Sequence, residues 1–159
     1  MKRNELIFRQ VDATDKKAIE MIYQILCRCG EDMYQKQGLT HWKTPYSMDL
    51  IRQNCIHNAV FVVEMAQEII ATFQIAYDLA KAHMSKAAVA PEWEGRGIGS
   101  ECLQYIYQRC SEKGIAAVYA EVYDKNTHAV SFYLKNGFKL VGTDTGKRFT
   151  VYIVEKRMP

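Results

Sequence analysis

Residues 94–99 read Glu-Gly-Arg-Gly-Ile-Gly, between a β-rich run that stops at Pro91 and a segment in which Ile98, Cys102, Ile106 and Cys110 recur at helical spacing. A strand-to-helix turn with glycine at 95, 97 and 99 constrains the fold more than any other stretch, because glycine reaches backbone angles barred to other residues. Consecutive amide N–H groups in such a turn can point at one oxyanion, and the helix start adds unpaired donors and the positive end of its dipole. A pyrophosphate suits that cradle. A tight packing turn also needs glycine, and the turn alone does not choose between the two. Spacing narrows the ligand: a G-x-G-x-x-G dinucleotide fingerprint counted from Gly95 ends on Ser100 and counted from Gly97 ends on Cys102, and no G-K-[ST] follows.

The elements around this turn follow from periodicity and punctuation. Leu6 to Val11 reads as a strand, and Thr14 or Asp15 opens a helix that carries Ile19, Ile22, Leu26 and Cys29 on one face as far as Gln37, before Gly38. The pattern breaks around Pro45, after which Ser47 caps a second helix to about His57. Val60 to Met65 and Ile69 to Tyr77 form a hairpin across Ala66-Gln67-Glu68, and a third strand covers about His83 to Ala90. Beyond the glycine turn come a helix that stops at Gly114, a strand from Ala116 to Tyr123 and a short helix from about Thr127 to Asn136. Two final strands, Phe138 to Val141 and Phe149 to Lys156, flank a Thr-Asp-Thr-Gly turn. This order predicts an α/β fold, a mixed central sheet of about six or seven strands flanked by helices.

Length and composition bound the rest. A chain of 159 residues with 48% hydrophobic composition suffices for one domain, 1–159, around one core. Lys+Arg 21 against Asp+Glu 18 gives a net charge of +3, too even for the footprint of a nucleic-acid binder. No uncharged apolar run is long enough to span a membrane, and Lys2, Arg3, Glu5, Arg9 and Asp12 interrupt the start, so a soluble cytoplasmic protein is expected. Cys27, Cys29, Cys55, Cys102 and Cys110 are odd in number and form no C-x-x-C pair. That argues against a disulfide framework and a zinc site, and for reduced, mostly buried thiols without a metal.

With its context, Ala87-Ala88-Val89-Ala90-Pro91 followed by the glycine turn resembles the Q/R-x-x-G-x-G/A motif of the GNAT superfamily of N-acetyltransferases, Gly97 and Gly99 standing at its glycines and Glu94 replacing its Gln or Arg. A second stretch, Asn126-Thr127-His128-Ala129 and then Phe132-Tyr133-Leu134-Lys135-Asn136-Gly137-Phe138, resembles the family's N-x-x-A-x-x-x-Y-x-x-x-G-F signature, preceded by Glu121-Val122. The resemblance implies that the strand ending at Pro91 and the strand holding Glu121 run parallel and splay apart around acyl-CoA. Backbone groups of Ala87, Ala88 and Val89 would pair with the pantetheine arm, an N–H near Val89 would polarise the thioester carbonyl, and Glu94, Gly95, Arg96, Gly97, Ile98 and Gly99 would hold the pyrophosphate. Asn126 stands at the family's cofactor-contacting asparagine, in what is also an ordinary helix cap.

Amide formation from acetyl-CoA needs a neutral amine and a proton for the departing thiolate. The resemblance puts Tyr133 in the place of the general acid, beside the cofactor, and a phenol with an ordinary pKa of about 10 stays protonated at neutral pH. Glu121 is the first choice of base, with His83 second and a water chain third, His83 reading also as an exposed loop histidine. In this family the amine pocket is built by the two N-terminal helices and their connection, here with Tyr34, Gly38, His41, Trp42 and Tyr46, aromatic residues that equally pack a helix onto a sheet. The activity implied is acetyl transfer from acetyl-CoA to an amine. A non-catalytic acyl-CoA sensor is the main alternative, and a dinucleotide oxidoreductase is disfavoured by the glycine spacing. Edge strands near the C-terminus leave room for a homodimer.

Overall fold

A computed structural model describes residues 5–42, 46–146 and 148–159, so the expected break at Pro45 lies outside the described residues. The element order is β1 (Ile7–Gln10), α1 (Lys16–Gln37), α2 (Met48–His57), β2 (Ala59–Met65), β3 (Glu68–Asp78), β4 (Lys81–Val89), a 3-10 turn (Pro91–Trp93), α3 (Ile98–Glu112), β5 (Ala117–Tyr123), α4 (Thr127–Lys135), β6 (Lys139–Asp144) and β7 (Val151–Arg157).

Capping sets the helix boundaries. Asp15 accepts from the Ala18 amide at the start of α1, and Gly38, with φ 70°, turns its N–H back to Met33 and Tyr34 at the end. Ser47 accepts from the Leu50 amide and opens α2. Each such cap is worth about 1 kcal/mol. In the β2–β3 hairpin Ala66 and Gln67 take φ of 50° and 68°, the left-handed pair that a two-residue turn needs, and Glu68 pairs with Met65 instead of joining the turn.

The strands form one seven-stranded sheet in the order β1-β2-β3-β4-β5-β7-β6. Neighbours are antiparallel except β4 and β5. One core, with Phe61, Phe73, Leu103, Ile106, Val118 and Val154, joins the sheet to α3, and a second, with Ile19, Ile22, Leu26, Ile51, Val60 and Val62, joins it to α1 and α2. Phe61 and Phe73 stack at 5.1 Å and are fully buried, so truncating either to alanine costs about 3–5 kcal/mol.

The last two strands lie later than the sequence suggests. The register of β6 on β7 slips between Leu140 and Gly142, which absorbs Val141 and lets Thr143 and Asp144 pair with Tyr152 and Val151. The expected Thr-Asp-Thr-Gly turn therefore begins inside the strand, and the chain reverses where the Gly146 amide donates to Asp144 Oδ1 at 2.9 Å. No helix among the described residues is long and apolar enough to cross a membrane.

Candidate functional site

Among the described residues the one parallel pairing in the sheet is short: Lys81, Ala82 and His83 of β4 face Ala117, Val118 and Tyr119 of β5. Beyond His83 the two strands part, and a cleft of about 740 Å³ opens between them. Ala87, Ala88 and Val89 line it along β4, and Ala120 to Tyr123 line it along β5. The unpaired edge of β4 can therefore take an extended ligand as an added strand.

At one end stands the glycine turn. Gly95 and Gly97 take φ of 74° and 80°, and Gly97 is the N-cap of α3, whose start has no side-chain cap. Its first-turn amides point toward the end of the cleft that Gly95, Gly97, Ile98, Gly99 and Ser100 line. Gly99 has a packing role as well: a Cβ there would lie 3.0 Å from the ring of Phe132 on α4. The packing reading of the turn therefore holds at Gly99.

Glu94 lines the cleft with its carboxylate 3.7 Å from Lys36 Nζ, and Lys36 also pairs with Asp32 at 3.2 Å. Its side chain ties the turn to α1. Arg96 lies over the Trp93 ring at 4.7 Å. Asn126 accepts from the Ala129 amide at 3.2 Å as the cap of α4 and donates to Met33 Sδ at 3.5 Å, linking α4 to α1 across the cleft.

Tyr133 lines the cleft from α4, 9% exposed, its ring edge-on to Phe132 and Phe138 at 5.4 and 5.1 Å. Burial pushes its phenol pKa above the ordinary tyrosine range, which keeps the proton on oxygen. Glu121 projects from β5 into the same cleft, where Ala120 and Val122 on either side are buried. Its Oε1 is 3.7 Å from Nε2 of His83. His83 is no loop residue: it belongs to β4 and stacks on Tyr119 at 4.6 Å, because the short parallel pairing sets the two side by side.

The opposite end is aromatic. His41 and Trp42 line it, with His41 4.6 Å from Tyr123 and 6.0 Å from Phe149. Burial lowers the His41 pKa, and its Nδ1 has no hydrogen-bond partner among the described residues. Tyr34 instead is largely exposed, and Gly38 serves as the cap of α1. The close seat of Trp42 depends on Gly30 of α1, where a Cβ would fall 2.3 Å from the Trp42 carbonyl oxygen.

Sequence reasoning passed over Lys86 as a cleft residue and read Cys29 as a buried thiol. Lys86 lines the aromatic end from β4, and its sequence signal is slight, one charge within Met84-Ser85-Lys86-Ala87-Ala88. Cys29 lies under the strand end, donating its thiol to the Val89 carbonyl at 3.1 Å, and burial raises its pKa to about 12. It is a packing thiol with almost no thiolate at neutral pH.

Among solved structures the chain is similar over nearly its whole length to several acetyltransferases. The PaiA N-acetyltransferase of Thermoplasma acidophilum, in complex with coenzyme A, is 20% identical with a TM-score of 0.77 over 96% of this chain and 99% of that one. Ard1 of Thermoplasma volcanium is 21% identical with a TM-score of 0.76 over 97% and 98%. A ribosomal-protein alanine N-acetyltransferase of Escherichia coli is 20% identical with a TM-score of 0.75 over 97% and 94%. A tRNA(Met) cytidine acetyltransferase of Saccharolobus solfataricus is 38% identical over 53 residues, a match spanning 33% of this chain and 7% of that protein. The overall fold is thus shared with these acetyltransferases, and since the model of the Acetyltransferase (GNAT) family matches residues 19–138, the chain belongs to that family.

Proposed function

We propose that the chain, as one domain over 1–159, transfers an acetyl group from acetyl-CoA to a primary amine by direct attack on the thioester. One observation carries this reading: a single cleft joins a glycine turn suited to pyrophosphate to Tyr133 and Glu121 and then to an aromatic end. Coenzyme A would lie with its pyrophosphate on the amides of residues 95–99, its pantetheine along Ala87 to Val89, and its thioester near Tyr133. The coenzyme A complex of the Thermoplasma acidophilum relative supports a bound cofactor in this fold.

In the reaction Glu121 takes a proton from the ammonium of the acceptor, with His83 beside it able to pass that proton onward. The neutral nitrogen attacks the thioester carbon, and the oxyanion meets a β4 backbone N–H. When the carbon–sulfur bond breaks, Tyr133 protonates the thiolate and regains a proton from the new amide nitrogen through water. Amide and free coenzyme A leave. We place the protein in the cytoplasm, where acetyl-CoA is made and thiols stay reduced.

The test is acetyl-CoA binding by calorimetry, followed by thiol release over a panel of amines. Tight binding with turnover on one class of amine is expected. Binding without turnover on any amine would point to an acyl-CoA sensor, and no binding would end the reading.

A further inference from the structure

β4 contains a feature that the acyl-transfer chemistry leaves unused. Thr72 of β3 pairs with Ala88 and Gln74 pairs with Ser85, so Lys86 and Ala87 together stand opposite Phe73 alone. A bulge of this kind re-aims a side chain. Lys86 accordingly takes a φ of 48°, a left-handed conformation that a residue with a Cβ adopts only under constraint. Its ammonium comes to rest over the Tyr46 ring, 4.7 Å from the centroid, at the end of the cleft that His41, Trp42 and Tyr123 line.

Among the described residues, the ion pairs of the cleft leave Lys86 aside. Lys36 holds Asp32 and Glu94 near the glycine turn, and Glu121 faces His83. Desolvation lowers the Lys86 pKa, and the Tyr46 face attracts the ammonium without supplying a counter-charge. A half-buried cation whose neighbours are aromatic faces is costly in a free cleft, and a ligand that brings an anion offsets that cost. A polyamine would do the reverse, setting a second ammonium beside the first. A peptide N-terminus would offer Lys86 only a neutral amide.

Two opposite charges therefore line one cleft, Glu121 on β5 and Lys86 on β4, together with His41, Trp42 and Tyr123. We infer that the acceptor is a small amine that also carries a carboxylate, of the amino-acid class, with its carboxylate on Lys86, its amine toward Glu121 and the thioester, and its side chain against His41, Trp42 and Tyr123. The inference rests on the transferase reading above, and its test is built so that the two can fail separately.

The probes are free amino acids of graded side-chain size, each matched with its carboxamide and its decarboxylated amine, together with spermidine. Transfer is followed by thiol release, and binding to the coenzyme A-loaded protein by calorimetry. The free acids are expected to exceed their amides by about tenfold or more in kcat/KM and in affinity. Lys86→Met should bring acids down to the level of amides while acetyl-CoA still binds, Lys86→Arg should keep the preference, and Lys86→Glu should turn it toward spermidine. Transfer to amides or spermidine as readily as to acids, or an unchanged preference in Lys86→Met, overturns the inference and leaves the transferase standing. Selective binding of acids without transfer to any amine leaves the carboxylate site and removes the transferase. Failure of every acid to bind at millimolar concentration overturns the site itself.

Discussion

The two ends of the cleft are made of different materials. The end proposed for the cofactor is built from backbone: the parted edge of β4, the amides at the start of α3, and glycines at 95 and 97 held at φ of 74° and 80°. The end proposed for the acceptor is built from side chains of distant segments, His41 and Trp42 after α1, Lys86 on a bulge of β4 and Tyr123 at the end of β5. A backbone site tolerates change in the residues around it. A side-chain site can be rebuilt while the fold stays.

Tyr133 is the exception at the cofactor end, a side chain asked to do chemistry there, and it sharpens the comparison most. Tyr133→Phe keeps the ring packed on Phe132 and Phe138 and removes only the hydroxyl. Turnover is expected to fall by roughly a hundredfold or more, with acetyl-CoA affinity and melting temperature near the parent values. The loss should shrink with an acyl donor whose leaving thiol has a lower pKa. Because burial raises the phenol pKa, the donor form persists above the ordinary tyrosine range near 10, so no loss of the parent's rate below that pH should trace to this group. Parental turnover in Tyr133→Phe would remove the general acid.

Gly97→Asp tests the backbone end itself. An aspartate at φ 80° is strained by about 1–2 kcal/mol, and its charge stands where the pyrophosphate is proposed to bind. Acetyl-CoA affinity should drop by about tenfold or more, and Gly97→Ala, which adds strain without charge, should fall between the two. Calorimetry on folded protein reads the difference. Unchanged affinity in Gly97→Asp would take the turn out of the site.

Glu121→Gln probes the junction between the ends. At lower pH the acceptor is an ammonium and needs a base, whereas near its own pKa free amine is abundant and the base is dispensable. The parent-to-variant rate ratio should be about tenfold at pH 6.5 and shrink toward one as pH rises, with acetyl-CoA binding unaltered. Superimposable pH profiles would pass the role to His83 or to water.

How much of this was legible in the chain follows from the same division. Gly95, Gly97 and Gly99 announced the strand-to-helix turn because few residues satisfy a left-handed angle or a 3.0 Å approach to Phe132, and Asn126 to Phe138 announced α4 in one continuous stretch. The acceptor end gave weak signals. Trp42 and Tyr46 look alike in sequence whether they wall a pocket or fill a core, and nothing local says that Lys86 sits on a bulge: the pairings of Thr72 with Ala88 and Gln74 with Ser85 create it. His83, the second candidate base, could also be read as a loop histidine for a similar reason, since its partner Tyr119 lies 36 residues on and meets it through a parallel pairing of three residues. The late end of β6 has a similar origin, a register slip between Leu140 and Gly142 that pairing with β7 sets.

The smallest effect expected is at Gly30, and it asks whether the ends are separable at all. Gly30 lies buried in α1, and a Cβ there would fall 2.3 Å from the carbonyl oxygen of Trp42, so Gly30→Ala must push the His41–Trp42 segment away from the helix. Helix propensity favours alanine over glycine by about 1 kcal/mol. Overpacking against backbone costs about 1–3 kcal/mol and wins, because a carbonyl cannot rotate aside as a side-chain tip can. The melting temperature should therefore fall by only a few degrees, about 2–4 °C for each net kcal/mol in a chain of this length. The functional consequence should be one-sided. Displacing Trp42 widens the aromatic end and should raise the acceptor KM several-fold, while Gly95, Gly97 and the edge of β4 stay in place and acetyl-CoA affinity holds. An equal loss of acetyl-CoA affinity would show that α1 couples the two ends, through Lys36 and Glu94 or through Met33 and Asn126, and the division drawn between them would fail.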